Sequence, residues 1–236
     1  MKIGLFSDPH YCHLEDVGGG RKPLASYNKI KEAMENFKAR GVDLCFCLGD
    51  LVDCPQGTTK EECKKNLRDI MSLINSYGIP FYLVHGNHDF LGLSEKDFEM
   101  ENIHTPPYII DKNECKFIVL DSNYRSNMEH FSTAGVVWDD ANLPPFQVEY
   151  LRNALEESDK DCVVLVHENL DPGVQYQHII KNAEEIRNII SASGKVKLVI
   201  QGHFHEGSYT EIDGVPYLTL EAMCQGEQNP YTVIEI

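Results

Sequence analysis

Short apolar runs alternate along this chain with longer segments of helical period, and that alternation selects an α/β arrangement of sheets and covering helices. "KIGLFS", "VDLCFCLG" and "PFYLVHG" read as strands, and "LASYNKIKEAMENFKAR" and "TKEECKKNLRDIMSLINSY" between them as helices. The first helix closes at Gly41; the second has Thr58 or Thr59 as its cap and Gly78 past its end. Further on, "SEKDFEM" is a short helix, "PPYIID" and "KFIVLDS" are strands joined by a hairpin turn at "KNE", and "PPFQVEYLRNALEES" is a helix opening on proline. "DCVVLVHE" and "VKLVIQGH" are strands, with "NAEEIRNIISAS" ending a helix between them. "GSYTEIDG", "VPYLTLE" and "YTVIEI" are three candidate antiparallel strands, with "DG" at one turn. No repeat, linker or low-complexity tract divides the chain, so residues 1–236 are expected to form a single domain of two sheets stacked between helices.

Composition narrows the function classes. A chain of 236 residues with 42% hydrophobic and 25% charged residues has the make-up of a soluble globular protein with a sizeable core. A formal charge of -16 argues against a broad surface for long nucleic acid, because such binding neutralises phosphates with Lys and Arg. Small phosphorylated substrates stay open, since bound cations supply positive charge locally. The opening "MKIGLFSDPH" is too short in apolar residues for a signal peptide or membrane span, which leads to the expectation of a cytoplasmic protein. The eight cysteines form no C-x-x-C. Cys45, Cys47 and Cys162 lie in strand-like runs and Cys63 in a helix-like one, so reduced, buried thiols are expected, with a redox or ligand role left open for Cys12 and Cys54 beside the carboxylate motifs.

The residues just past the apolar runs carry the chemistry, because open α/β sheets gather ligands beyond the carboxyl ends of their strands. After the first strand come Asp8 and His10; after the second, Asp50 and Asp53; after the third, Asn87, His88 and Asp89. His167 comes after "VVLV", and His203 and His205 after "KLVIQG". Each alone has a bland explanation. A His-x-His pair at a strand end shares a face and can be two solvated rings, Asp50 or Asn87 can cap a turn, and a lone histidine is more often hydrogen-bonded than ligating. A metal centre accounts for all of them at once. Oxygen and imidazole donors without thiolate suit Mn²⁺, Fe or Zn²⁺, and a carboxylate such as Asp50 can bridge two ions about 3.5–4 Å apart, which would lower a shared water's pKa to about 7 and clamp both oxygens of a phosphoryl displacement.

"DPH", "GDLVD", "GNHD", the histidine of "LVHEN" and "GHFH" resemble, in order and spacing, the five motifs of the calcineurin-like metallophosphoesterases, and they extend from Asp8 to His205. The resemblance implies a four-layer α/β/β/α sandwich of two mixed sheets flanked by helices, with two divalent metal ions at the strand ends. It assigns Asp8, His10, Asp50 and His205 to one metal and Asp50, Asn87, His167 and His203 to the other. His88 matches the family's non-ligand histidine, which orients the phosphoryl group and can protonate the leaving oxygen, and Asp53 matches the carboxylate that holds and polarises it. Asp89 is either a supporting group or a turn residue, the second being preferred.

Departures narrow the substrate. The protein phosphatases of the superfamily continue their second motif with Arg-Gly, where this chain reads "GDLVDCPQG". The stretch with Tyr11, Glu15, Asp16, Gly18 to Gly20 and Arg21 is closer to the Mn-dependent ADP-ribose/CDP-alcohol diphosphatases and the cyclic nucleotide phosphodiesterases near them. There Arg21 and Lys22 could meet a second phosphate or belong to a solvated loop. In the loop from Asn123 to Leu143, Tyr124, Arg125, Phe131 and Trp138 could wall a base or simply pack. The expectation is a metal-dependent phosphoesterase, Mn²⁺ favoured, that hydrolyses a small, nucleotide-derived phosphodiester or pyrophosphate with a metal-bridging hydroxide. The alternatives are a phosphomonoesterase, a nuclease acting on short single strands, and a non-catalytic binding or scaffold protein on the same fold.

Overall fold

In the run Leu44–Cys47 all four residues are buried, Leu44 and Phe46 toward one apolar layer and Cys45 and Cys47 toward another. That is the two-residue period of a strand covered on both faces. The structure, a computed structural model, describes residues 1–112 and 115–236. In chain order the elements are β1 (Lys2–Phe6), α1 (Pro23–Ala39), β2 (Leu44–Cys47), α2 (Lys60–Asn75), β3 (Phe81–Leu83), α3 (Glu95–Glu99), β4 (Tyr108–Asp111), β5 (Cys115–Val119), α4 (Phe131–Ala134), α5 (Pro145–Glu156), β6 (Asp161–Leu165), α6 (Ala183–Ser193), β7 (Val196–Gln201), β8 (Ser208–Ile212), β9 (Val215–Thr219) and β10 (Thr232–Glu235). Short 3-10 turns cover Asn87–Phe90 and Tyr176–His178.

Two mixed sheets result, with strand orders β10-β1-β2-β3 and β4-β5-β6-β7-β9-β8. β1, β2 and β3 are parallel, as are β5, β6, β7 and β9, while β10, β4 and β8 run antiparallel at the edges. Of the three closing strands, β8 and β9 form the expected hairpin, whereas β10 crosses to the other sheet and pairs with β1. The turn expected at "KNE" falls partly on Asn113 and Glu114, outside the described residues, although β4 and β5 do pair antiparallel.

The layer between the sheets is apolar: Ile3, Leu5, Leu44, Phe46 and Val84 face Phe117, Val119, Val163, Leu165 and Ile200. Phe46 and Phe117 meet there with ring centroids 5.3 Å apart. On the outer face of the smaller sheet, α1 and α2 lay Ile30, Met34, Phe37, Leu67 and Ile70 over Cys45, Cys47 and Leu83. Gly4 lets α1 approach, since a Cβ there would strike the Phe37 ring. The four-layer expectation is met, and the stack brings the carboxyl ends of both sheets' parallel strands to one edge.

Among the cysteines the structure departs from the sequence. Cys54 and Cys63 form a disulfide, Cα atoms 5.6 Å apart, where free thiols were expected. The first turn of α2 doubles back over the loop after β2 and seats the two sulfurs beside Gly92, a proximity invisible in spacing alone. Cys45, Cys47 and Cys162 are buried, as expected, outside any disulfide, and so are Cys12 and Cys224.

Candidate active site

The loops after β1 and β2 run side by side. Asp8 N donates to Gly49 O at 3.1 Å, His10 N to Asp50 O at 2.8 Å, and Asp53 N to Tyr11 O at 3.1 Å. This brings Asp8, His10, Asp50 and Asp53 together, all buried. The turn after β3 adds Asn87 and His88, and from the larger sheet β6 delivers His167 and β7 delivers His203 and His205. Gly202 N donates to His167 O at 3.0 Å, joining the last two loops.

Backbone strain accompanies this convergence. Asp8, His10, Asp50 and His203 have φ of 50°, 46°, 51° and 65°, in the left-handed region that side chains other than glycine rarely occupy. Each costs about 1–3 kcal/mol and persists only where its surroundings hold it. The glycines of "LGD" and "HGN" serve close approach, Gly49 with a φ of 107° as well: a Cβ on Gly49 would run into the His167 ring, and one on Gly86 into the Asp50 carboxylate.

Asp50 is the centre of the arrangement. Its Oδ1 accepts from His88 N at 2.7 Å, and its Oδ2 lies 3.3 Å from His10 Nε2 and 3.4 Å from His167 Nε2. His205 Nε2 is 3.3 Å from His10 Nε2 and 3.5 Å from Asp8 Oδ1. Two ligand-capable groups, Asp8/His10/Asp50 and Asp50/His167/His203, therefore share one carboxylate. Asp8 Oδ1, Asn87 Oδ1, His167 Nε2 and His203 Nε2 are buried without a hydrogen-bond partner. Four such atoms aimed into one space are costly unless something satisfies them, and oxygen and imidazole nitrogen are the donors a hard or borderline divalent cation takes. His167 Nδ1 donates to Leu48 O at 2.6 Å, which leaves Nε2 with its lone pair for a ligand.

Electrostatics fit a cation. Burial would raise both acids, but the imidazoles pull harder: His205 and His167 hold Asp8 at about 2, and His167, His10 and His88 hold Asp50 well below the usual carboxylate range. Burial keeps His10 and His203 below the ordinary histidine value and so neutral, as ligands must be. His167 is pushed well up against its burial by Asp50, and the field that favours a proton there favours a cation.

Around this centre, His88 Nδ1 donates to Asp53 Oδ1 at 3.1 Å. Burial lowers the His88 pKa, but Asp50 and Asp53 more than offset it and the net shift is upward. Asp53 also lies 3.6 Å from His10 Nδ1 and accepts from Arg21 Nη1 at 2.9 Å. Arg21 thus turns into the cleft, while Lys22 turns out to Asp16. Asp89 is a turn residue, accepting from Gly86 N at 2.9 Å and Val52 N at 3.2 Å, and burial beside Asp50 raises it to about 8.

Of the four residues singled out in the loop from Asn123 to Leu143, which also contains α4, only Trp138 reaches the cleft. Phe131 is buried, Tyr124 packs against His130 and Phe146, and Arg125 donates to Ala134 O and Gly135 O. Sequence reasoning missed three neighbours of the centre. Cys224 has its sulfur among the ring nitrogens of His10 and His205, the Gln225 side-chain amide lies 2.9 Å from His205 Nδ1, and His178 meets His203 edge-on. None belongs to a motif; Cys224 and Gln225 arrive because the strand-like pairing of Arg21 with Gln225 folds that segment over the site.

No helix among the described residues is long and apolar enough to cross a membrane. Residues 1–207 match the family described as Calcineurin-like phosphoesterase. The 3',5'-cyclic adenosine monophosphate phosphodiesterase CpdA of Haemophilus influenzae is 21% identical over 229 residues, which cover 95% of this chain and 77% of that protein. A probable cyclic nucleotide phosphodiesterase of Psychrobacter arcticus is 23% identical over 208 residues, covering 83% of this chain and 67% of its own length. A dimetal phosphatase from Danio rerio has the same fold, with a TM-score of 0.81 at 16% identity, over 98% of this chain and 91% of that one. With the family match spanning every strand-end motif from Asp8 to His205, on two stacked sheets that converge on a shared carboxylate, the chain belongs to the calcineurin-like phosphoesterases, a family of metal-dependent phosphoester hydrolases.

Proposed function

We propose that this protein is a two-metal phosphodiesterase that cleaves a small nucleotide-derived diester, the whole chain from residue 1 to 236 acting as one domain. The observation that carries the reading is the pair of ligand groups sharing Asp50 Oδ2, with His88 beside them held by Asp53. In this reading Asp8, His10, Asp50 and His205 hold one ion, and Asp50, Asn87, His167 and His203 the other. Oxygen and imidazole donors suit Mn²⁺, Fe or Zn²⁺, and Mn²⁺ is favoured among them by the resemblance to the Mn-dependent diphosphatases. When bound, the ions would supply a nucleophilic oxygen at neutral pH and neutralise charge on the phosphoryl group.

The chain's own residues do the rest. Asp53 takes the Nδ1 proton of His88 in a hydrogen bond and fixes the ring, so that Nε2 is the atom left to orient the phosphoryl group and give its proton to the leaving oxygen. The upward shift of His88, set by Asp50 and Asp53, favours the protonated ring that this role needs. Arg21 brings a fixed positive charge to the same side, where it would meet a non-bridging oxygen of the substrate. The cleft has a volume of about 390 Å³, the size for a small ligand. The names of the relatives, cyclic nucleotide phosphodiesterases, support a diester of that kind.

The test is hydrolysis by chelator-stripped protein reloaded with Mn²⁺, comparing bis-p-nitrophenyl phosphate with p-nitrophenyl phosphate. Faster cleavage of the diester, falling by about 10²–10⁴-fold in His88→Asn, is expected. Cleavage of the monoester alone would make the protein a phosphatase, and no cleavage of either would return it to the scaffold reading.

A further inference from the structure

The two flanks of the cleft differ in chemistry. One carries Arg21, His88 and Gln225, groups suited to phosphate oxygens. The other is aromatic. Trp138 is 43% exposed although it is a large apolar side chain, and its ring centroid lies 5.4 Å from that of His178 and 6.0 Å from that of His203. His178 in turn is 4.9 Å from His203 and 5.2 Å from the Phe204 ring, so the aromatic surface is continuous from the candidate metal centre to the rim. Gln175 and Glu206 edge it with polar groups.

This surface is built. The backbone of Asp140 bonds back to Val137 O at 2.8 Å and its carboxylate accepts from Ser126 N at 3.2 Å, which fixes the loop that offers Trp138. His178 sits in a 3-10 turn whose N donates to Gln175 O and whose O accepts from Asn169 N at 3.0 Å, next to the loop that carries His167. Trp138 is a half-exposed indole pinned at the mouth of the cleft, and its neighbour His178 leaves a buried Nδ1 without a partner. A flat π-face that excludes water and makes few directional demands is what an aromatic base needs.

We propose that Trp138 and His178 form the nucleobase subsite, so that the substrate lies across the centre with its phosphate toward Arg21 and its base stacked on Trp138. The inference rests on the phosphodiesterase reading and extends it to a nucleoside ester whose base contributes to recognition. Trp138 and His178 then decide affinity and choice of substrate, and take no part in the bond-breaking step.

Trp138 is the chain's only tryptophan, so its emission reports on this subsite alone. The experiment titrates Mn²⁺-loaded protein with AMP and with ribose 5-phosphate, following tryptophan emission and, by calorimetry, affinity. AMP is expected to quench the emission and to bind about tenfold more tightly than ribose 5-phosphate, which leaves the emission unchanged. Trp138→Ala should remove that preference, and Trp138→Phe, which keeps a π-face, should restore most of it. Equal binding of the two ligands, AMP binding without quenching, or a preference that survives in Trp138→Ala would overturn the proposal. Neither readout needs turnover, so absence of diester hydrolysis would count against the phosphodiesterase reading while the base subsite was still judged on its own.

Discussion

At the residue scale, the chemistry depends on which oxygen or nitrogen is left over once the protein has used the others. Asp50 spends Oδ1 on His88 N and keeps Oδ2 between two imidazoles; Asp8 spends Oδ2 on Ser7 Oγ and His203 N and keeps Oδ1. Asp50→Asn removes the shared charge, so it is expected to leave fewer than two ions per chain and to lower the hydrolysis rate by on the order of 100-fold; a D50N protein that retained two ions per chain by elemental analysis would contradict the bridging assignment. A second buried pair, His130 with Asp121, has no such leftover atom. His130 Nδ1 lies 2.6 Å from Ser132 Oγ, to which it donates when the ring is protonated, and Nε2 donates to Asp121 Oδ2 at 2.9 Å. Burial lowers the His130 pKa, but the Asp121 hydrogen bond and charge outweigh it and the net shift is upward. A raised folded-state value means that the pair's stabilisation is complete below the unfolded histidine pKa and is lost as pH rises through the folded one. His130→Gln should therefore lower the melting temperature more at about pH 5.5 than at about pH 9, and equal losses would show that the pair is not ionic.

At the scale of elements, the ends of helices and strands were the most legible. Thr59 caps α2 in full: its side chain accepts from Glu62 N at 3.3 Å while Glu62 accepts from Thr59 N at 2.8 Å. Thr59→Ala should cost about 1 kcal/mol, a fall of roughly 2–4 °C in the melting temperature of a chain this size, measurable by calorimetry with Glu62→Ala as a parallel loss. Gly41 and Gly78, expected past the ends of α1 and α2, both have positive φ as such positions require. Less legible were α4 and the turn at Tyr176–His178, since four or three residues are too few to show a period. The sheet that β10 joins was equally unreadable, because strand pairing is set by distant partners and not by the run itself.

At the scale of the whole molecule, stacking two sheets places five strand ends at one edge and buries an anionic centre there. Leaving Asp8 and Asp50 without a counter-charge is unfavourable, so ion binding should stabilise the fold. At 100 times the dissociation constant each ion adds about 2.7 kcal/mol, and chelation should lower the melting temperature by about 10 °C or more, recovered on adding Mn²⁺. A melting temperature indifferent to chelator would argue that no ion is held. The sequence by itself determined the α/β class, the strands, and the ordered set of carboxylates, amide and histidines from Asp8 to His205, because strand period and residue chemistry are local properties. Only the tertiary structure decided that Asp50 Oδ2 is the shared atom, that Arg21 turns inward while Lys22 does not, that Cys54 meets Cys63, and that Trp138 and His178 stand beside His203. Those are contacts between residues far apart in the chain or set by a loop's path, and they exist only once two apolar sheet faces have closed on each other and fixed where every loop begins.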